Sequence, residues 1–347
     1  MSFLTAVTFT PDEQEMQILL SVLGGISEIC CLSDLDSAKR VEVLAKADVI
    51  LARSFARAEV EPKEAAGLEN VQLVQLIFAG VNNVPFDLLP SHIKVSGNAG
   101  AFAGPIAEHV LGMVLCLAKK MIPGHLGLVN GRFEFSVFSK ELRGGTCGII
   151  GMGGNGDAIA DLMKKVGMRI LGINRRGTSS VDLDFMGTLA DMDKVLERSD
   201  VVVLAVPLTL ETVNMIGRRE LQLMKPDAIL INVARGKVID QAALYEHLRA
   251  TPSFGAGIDT WWSEPGDPEV YKLDFPFFDL PNLMGSPHKA DHVPDMMQAA
   301  VKMAAENIRS FLEGKPIRGE VNRADYSVSL TDTCCGCGLK GARTLPR

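Results

Sequence analysis

A chain of 347 residues, 47% hydrophobic and 22% charged, is long enough for two globular domains and too apolar for wholesale disorder. Its formal net charge of −7 argues against a nucleic-acid partner, which calls for a basic face. Residues 106–117 form the most apolar stretch, but Glu108 and His109 interrupt it and it falls short of the roughly 20 residues a span needs. No membrane partner is expected. No basic-then-apolar leader is read at the start, and the seven cysteines show no regular disulfide spacing. The expectation is reduced thiols in a cytoplasmic protein.

Short apolar runs alternate with helical patterns along most of the chain, which predicts α/β folding with parallel sheets. The predicted strands are 48–51, 72–78 and 94–96, then 147–151, 169–173, 201–206, 228–233, 255–259 and 283–285. A helix over 105–121 is apolar around much of its circumference and should be buried against another domain or subunit. Amphipathic helices follow over 158–166 and 242–248, the second with Asp240 as its N-cap, and over 294–312, ending near Gly314. After Tyr326 no period survives. That cysteine-bearing tail lacks the ligand spacing of a metal site, so no metal is expected and the tail reads as an unstructured extension.

Between one predicted strand and the next helix stands Gly151-Met152-Gly153-Gly154-Asn155-Gly156, a G-x-G-x-x-G turn. The first glycine permits the tight bend, the second lets a pyrophosphate approach the backbone, and the third allows close helix–strand packing. Free N–H groups of the helix then meet the phosphate charge. The following strand ends in Asn174-Arg175-Arg176, where a site for NAD would present a carboxylate to the ribose. An uncharged Asn174 beside two arginines suits a 2′-phosphate, so NADP is expected to be preferred, with NAD possible.

Three later segments deliver polar residues at strand ends: Arg235 after 228–233, Asp259 and Glu264 after 255–259, and His288 after 283–285. Open α/β sheets bind their ligands at such ends. With these motifs in order over roughly residues 45–320, the chain resembles the D-isomer-specific 2-hydroxyacid dehydrogenases, in particular the glyoxylate/hydroxypyruvate reductase-like members. Val206-Pro207-Leu208-Thr209 with Glu211-Thr212 is similar to that family's cofactor loop, Ala79-Gly80-Val81 to its substrate loop, and Ala107-Glu108 to the start of its shared helix.

The resemblance implies two Rossmann-like doubly wound domains. A substrate domain would be built from 1–100 and 290–326, a dinucleotide domain from 101–289, and the tail from 327–347. It implies a homodimer joined through the helix at 105–121. Arg235 would bind the carboxylate of a small 2-keto or 2-hydroxy acid, His288 would be the acid–base group with Glu264 as its partner, and Ala79 and Gly80 would touch substrate. The cofactor would also meet Val206, Pro207, Thr212, Val233, Ala234 and Asp259. The residue types fit this chemistry: arginine pairs with a carboxylate in a planar fork, and histidine exchanges a proton near neutral pH. Lys289, Asp291 and His292 depart from the small residues the family usually places after its histidine, and Trp261 and Trp262 are bulkier than usual and should narrow the substrate site. The competing expectation is a dinucleotide-sensing binding protein of the corepressor kind.

Overall fold

The computed structural model describes residues 3–56, 59–65, 67–264 and 271–326. The reading of the tail after Tyr326 lies outside them. Two parallel sheets organise the chain. β1 (Phe3–Val7), β2 (Ser27–Cys31), β3 (Val49–Ala52), β4 (Leu73–Leu76) and β5 (Lys94–Ser96) form the first, in the order β2-β1-β3-β4-β5. β6 (Thr146–Ile150), β7 (Arg169–Ile173), β8 (Phe185–Gly187), β9 (Val201–Leu204), β10 (Ile229–Asn232), β11 (Gly255–Ile258) and β12 (Leu283–Gly285) form the second, in the order β12-β11-β10-β9-β6-β7-β8. Both sheets reverse direction beside their first strand. Such a switch point opens a crevice at the carboxyl ends of the strands, and the glycine turn follows β6 directly into it.

β3, β4, β6, β9, β10 and β11 are buried along their whole length, which is why they read as apolar runs. Three strands, β1, β2 and β8, are absent from the sequence expectation. β2 and β8 are sheet edges of mixed character, with Ser27 and Glu28 in one and only three residues in the other. β1 is central but carries Thr5, whose buried hydroxyl is matched by Ser27 Oγ at 2.7 Å.

The helix predicted over 105–121 is two pieces. Ala103–Ala118 stops where Lys120 takes a positive φ of 52°, and Met121–Val129 continues at a bend of 58°. Pro123 falls in the first turn of the second piece, where its missing N–H is harmless. The first piece packs on β10, β11 and the helix Gly154–Lys165. Gly257 makes this possible: a Cβ there would lie 2.7 Å from Ile231 Cδ1 and 3.1 Å from Met113 Cε. Among the described residues no single helix is long and apolar enough to cross a membrane.

The helix Met296–Leu312 returns to the first sheet and packs against Glu13–Leu23. A buried amide seals the return. Asn307 Nδ2 donates to Gln75 Oε1 at 2.6 Å and to the Arg318 carbonyl at 3.0 Å, while its Oδ1 accepts from Arg318 N at 2.8 Å. Leaving any of these buried groups unmet would cost about 1–3 kcal/mol. Asn98 ties the same helix to the end of β4 by donating to the Ile77 and Ala300 carbonyls.

Candidate active site

The sequence-predicted groups from both sheets converge on one cleft of about 670 Å³. Ala79, Gly80, Asn155, Val233, Arg235, Asp259, Glu264 and His288 all line it. Arg235 reaches it from the end of β10, with Nη1 donating to the Ala234 carbonyl at 2.7 Å. Its guanidinium lies directly on the main chain of Gly80, where a Cβ would come within 2.1 Å of Nη2. Only a bare backbone admits the arginine this close.

Opposite stands a histidine–carboxylate pair. His288 Nδ1–H donates to Glu264 Oε2 at 2.8 Å, and Glu264 Oε1 accepts from Trp261 N at 2.8 Å. This leaves Nε2 of His288 for the cleft. The hydrogen bond to Glu264 holds the imidazole above its ordinary pKa, against burial and the nearby Arg235, which both pull it down. On Glu264 burial pushes upward, but the bonds and charges of His288, Trp261 N and Arg235 together bring it below the usual carboxylate value.

His288 is itself in the left-handed region, with φ at 47°. Buried Asp259 imposes that turn. Its Oδ1 accepts from Ser286 Oγ at 2.5 Å and Lys289 N at 3.1 Å, its Oδ2 from Ala290 N at 3.2 Å, and its carbonyl from His288 N at 2.8 Å. Since the Ser286 proton goes to Asp259, His109 Nε2–H donates to Ser286 Oγ, at 2.9 Å. Sequence reading placed Asp259 at the cofactor. The structure has its oxygens holding the turn that carries His288. It missed His109 and Ser286 altogether; a histidine inside an otherwise apolar helix was the available signal.

The departures after the histidine resolve simply. Lys289 is exposed and does not line the cleft, while Asp291 and His292 pair with each other at 2.7 Å on its rim. Trp262 lines a smaller adjoining cavity with Gly80, Arg235, Glu264 and His288, its indole N–H donating to the Ile239 carbonyl and its ring stacking on Phe277.

The glycine turn has the shape a dinucleotide needs. Gly151 has φ of 110°, and a Cβ there would lie 2.5 Å from the Ala205 carbonyl and 2.8 Å from Val206 N. At Gly156 a Cβ would meet the Gly151 carbonyl oxygen at 2.2 Å, whereas at Gly153 it would enter open space. Open space at the second glycine is what an approaching pyrophosphate requires. No side chain caps the helix Gly154–Lys165, so its first N–H groups are free for an anion. Thr212, buried, pins the neighbouring loop by donating to the Pro207 carbonyl at 2.6 Å.

At the ribose end the structure modifies the expectation. Asn174 spends its amide on the Met152 and Thr178 carbonyls and its oxygen on the N–H groups of Arg176 and Gly177, shaping the loop itself. Arg175 is bound to Asp325 at 2.7 Å and to Glu211 at 3.2 Å. Arg176 is exposed and forms no ion pair among the described residues. No group of three or more His, Cys, Asp or Glu side chains gathers for a metal among them either.

Residues 111–290 match the family model described as D-isomer specific 2-hydroxyacid dehydrogenase, NAD binding domain. The chain belongs to the D-isomer specific 2-hydroxyacid dehydrogenases. It is 33% identical over 232 residues to the glyoxylate reductase of Pyrococcus furiosus, covering 64% of this chain and 67% of that one. It is 31% identical over 279 residues to the D-3-phosphoglycerate dehydrogenase of Archaeoglobus fulgidus, covering 80% of this chain but only 52% of the relative, about half its length. Among solved structures, D-lactate dehydrogenase with NAD+ from Lactobacillus jensenii superposes with a TM-score of 0.69 at 26% identity, over 92% of this dehydrogenase-family chain and all of the other.

The pair makes a pH prediction. With His288 as the proton donor, reduction of a carbonyl would consume its proton, so that direction should fail as pH rises through its raised pKa, and oxidation should gain there. In Glu264→Gln the support is lost while burial and Arg235 remain, so both limbs should move to lower pH. The check is the pH profile of kcat/KM in both directions; unshifted limbs would mean that Glu264 does not hold the proton on His288.

Proposed function

We propose that this protein transfers a hydride between NAD(P)H and the carbonyl carbon of a small 2-keto acid of the glyoxylate or hydroxypyruvate type, giving the D-2-hydroxy acid, and runs the reverse reaction as well. The observation that carries the reading is Arg235 on the bare backbone of Gly80, facing the His288–Glu264 pair beside a dinucleotide-shaped turn. The unit containing β1 to β5, with residues 290–326, is read as the substrate domain and residues 101–289 as the dinucleotide domain.

Bound nicotinamide supplies or accepts the hydride. Arg235 holds the substrate carboxylate with two parallel hydrogen bonds and, with Ala79 and Gly80, fixes the angle at which the carbonyl is presented. As the carbonyl carbon gains the hydride, the π pair moves to oxygen, and His288 Nε2 gives that oxygen its proton. Glu264 stabilises the imidazolium before the transfer and keeps the ring from turning afterwards. Arg235→Lys keeps the charge but not the fork. It should lose about 10- to 100-fold in kcat/KM with cofactor affinity little changed. Near-native efficiency in that variant would remove Arg235 from its role.

NADPH is proposed as the preferred cofactor, on the absence of a ribose-facing carboxylate at Asn174 and on Arg175 and Arg176. Replacing both arginines by alanine should raise the KM for NADPH about tenfold and leave that for NADH within about twofold. Equal effects on the two would mean that the arginines do not read the 2′-phosphate. The compartment proposed is the cytoplasm, which keeps thiols such as Cys30, Cys31, Cys116 and Cys147 reduced.

We further propose a homodimer. After the bend at Lys120 the chain exposes Leu126, Leu128 and Val129, then Phe133, Phe135 and Phe138 at 80%, 89% and 92% of their full surface. So much contiguous apolar surface marks an interaction site. Sedimentation equilibrium should give twice the chain mass, and Phe135→Glu with Phe138→Glu should shift it toward monomer; a native monomer would refute the proposal.

A further inference from the structure

One wall of the cleft remains without a use in the chemistry above. Trp261, Tyr271 and Phe278 line it and pack on one another, Trp261 to Tyr271 at 5.5 Å and 83° between rings, Trp261 to Phe278 at 5.4 Å and 42°. Gly285 lets them lie down on β12, since a Cβ there would come within 2.7 Å of Trp261 Cζ2 and 3.0 Å of Phe278 Cε1. The indole N–H is already satisfied by the Ser286 carbonyl at 2.8 Å. The Trp261 ring therefore lines the cleft with no polar atom left to satisfy. The wall also reaches the reacting groups. Burial, with the charge of Glu264 close by, drives the Tyr271 phenol far above its ordinary pKa, so the ring stands neutral beside the acid–base pair.

Charge is scarce on this side. Among the described residues lining the cleft, Arg235 is the only guanidinium or ammonium group, and the substrate carboxylate takes it. Within this cleft a second anionic group would find Glu264, aromatic rings and the Asp291–His292 pair; Lys237 lines the smaller adjoining cavity with Arg235, Glu264 and His288, not the aromatic wall. Glyoxylate, with a hydrogen in place of a side chain, would leave the rings unused.

We propose that this wall is the side-chain subsite, and that it selects 2-keto acids with an apolar side chain of aromatic size while rejecting phosphorylated ones. The inference rests on the 2-keto-acid chemistry and the Arg235 and His288 roles read above, and moves the preferred side chain from that of glyoxylate or hydroxypyruvate to a larger apolar one. An aromatic ring placed here buries its own faces and the exposed surface of Phe278 and Tyr271, which the already buried Trp261 backs, with no polar group stranded. Hydrophobic complementarity of a few methylene equivalents is worth about 10- to 100-fold in kcat/KM.

The test uses the full chain with NADPH and NADH in turn, and glyoxylate, hydroxypyruvate, 4-methyl-2-oxopentanoate, phenylpyruvate and 3-phosphohydroxypyruvate as substrates. Phenylpyruvate should exceed glyoxylate in kcat/KM by about tenfold or more, with 3-phosphohydroxypyruvate the poorest. Phe278 is well exposed, so Phe278→Ala should fold, and it should cut the phenylpyruvate-to-glyoxylate ratio several-fold through KM for phenylpyruvate. Trp261→Phe, which keeps an apolar ring, should retain most of the preference. Turnover that favours glyoxylate or 3-phosphohydroxypyruvate, or a ratio unmoved in Phe278→Ala, would overturn the subsite and leave the keto-acid reading standing. No reduction of any acid with either cofactor would overturn both.

Discussion

The site depends on one buried carboxylate. Asp259 is 1% exposed, and no lysine or arginine pairs with it among the described residues. Burying a charge costs several kcal/mol unless hydrogen bonds replace its water. Here the replacements come from Ser286 Oγ and from the N–H groups of Lys289 and Ala290, with His109 behind Ser286. Those donors can converge on Asp259 only if the chain turns back sharply at residue 288. A positive φ at a residue other than glycine costs about 1–3 kcal/mol, and the carboxylate's need for donors offsets it. The energetics of one charge thus fix the backbone of His288, and from that backbone the imidazole meets Glu264.

Two close approaches complete the cleft, and both rely on missing side chains. Arg235 lies on Gly80, joining the end of β10 to the loop after β4. Gly154, opening the helix of the dinucleotide turn, lies against Gly100, where a Cβ would come within 2.6 Å of the Gly100 Cα. A methyl group at Gly154 would have to push apart two backbone segments that belong to different sheets, and one at Gly80 would displace the Arg235 guanidinium. Repositioning by even an ångström is expensive to a reaction that depends on orientation.

Much of this was legible in the sequence, for physical reasons that differ from residue to residue. β4, β6, β9 and β10 announce themselves because both faces of a parallel sheet are covered. The glycine turn is legible because only glycine satisfies its geometry, and Arg235, Glu264 and His288 because each stands just beyond a strand. β2 and β8, being edges, lack the pattern, and Thr5 hid the buried strand β1 behind a polar residue that only its cross-strand partner Ser27 makes affordable. The break at Lys120 has no signature, since lysine rarely adopts that backbone. The part Asp259 plays in turning the chain at His288 had no signature either. Position along the chain tells that a carboxylate lies near the cleft but not which donors the fold will bring to it.

The same ignorance of partners explains why two arginines that look equivalent in sequence are not. Arg235 is held by a neutral carbonyl, and the carboxylate near it, on Glu264, is matched by His288 when that ring is protonated. One positive charge is left over beside Arg235 and His288, a match for the one negative charge of the keto acid proposed above. Arg175 is held by two carboxylates, Asp325 and Glu211, so the three groups together carry a net negative charge at the ribose end. These exposed pairs are individually weak and screened by salt. Their sum still means that a 2′-phosphate must either displace them from Arg175 or lean chiefly on Arg176. Asp325 follows Arg323, whose guanidinium is anchored on the carbonyls of Leu89, Pro90 and Ile93 beside the first sheet. The Arg175–Asp325 pair therefore ties the two sheets together, and anything drawn to Arg175 at the ribose end competes with a contact that helps set the relation of one sheet to the other.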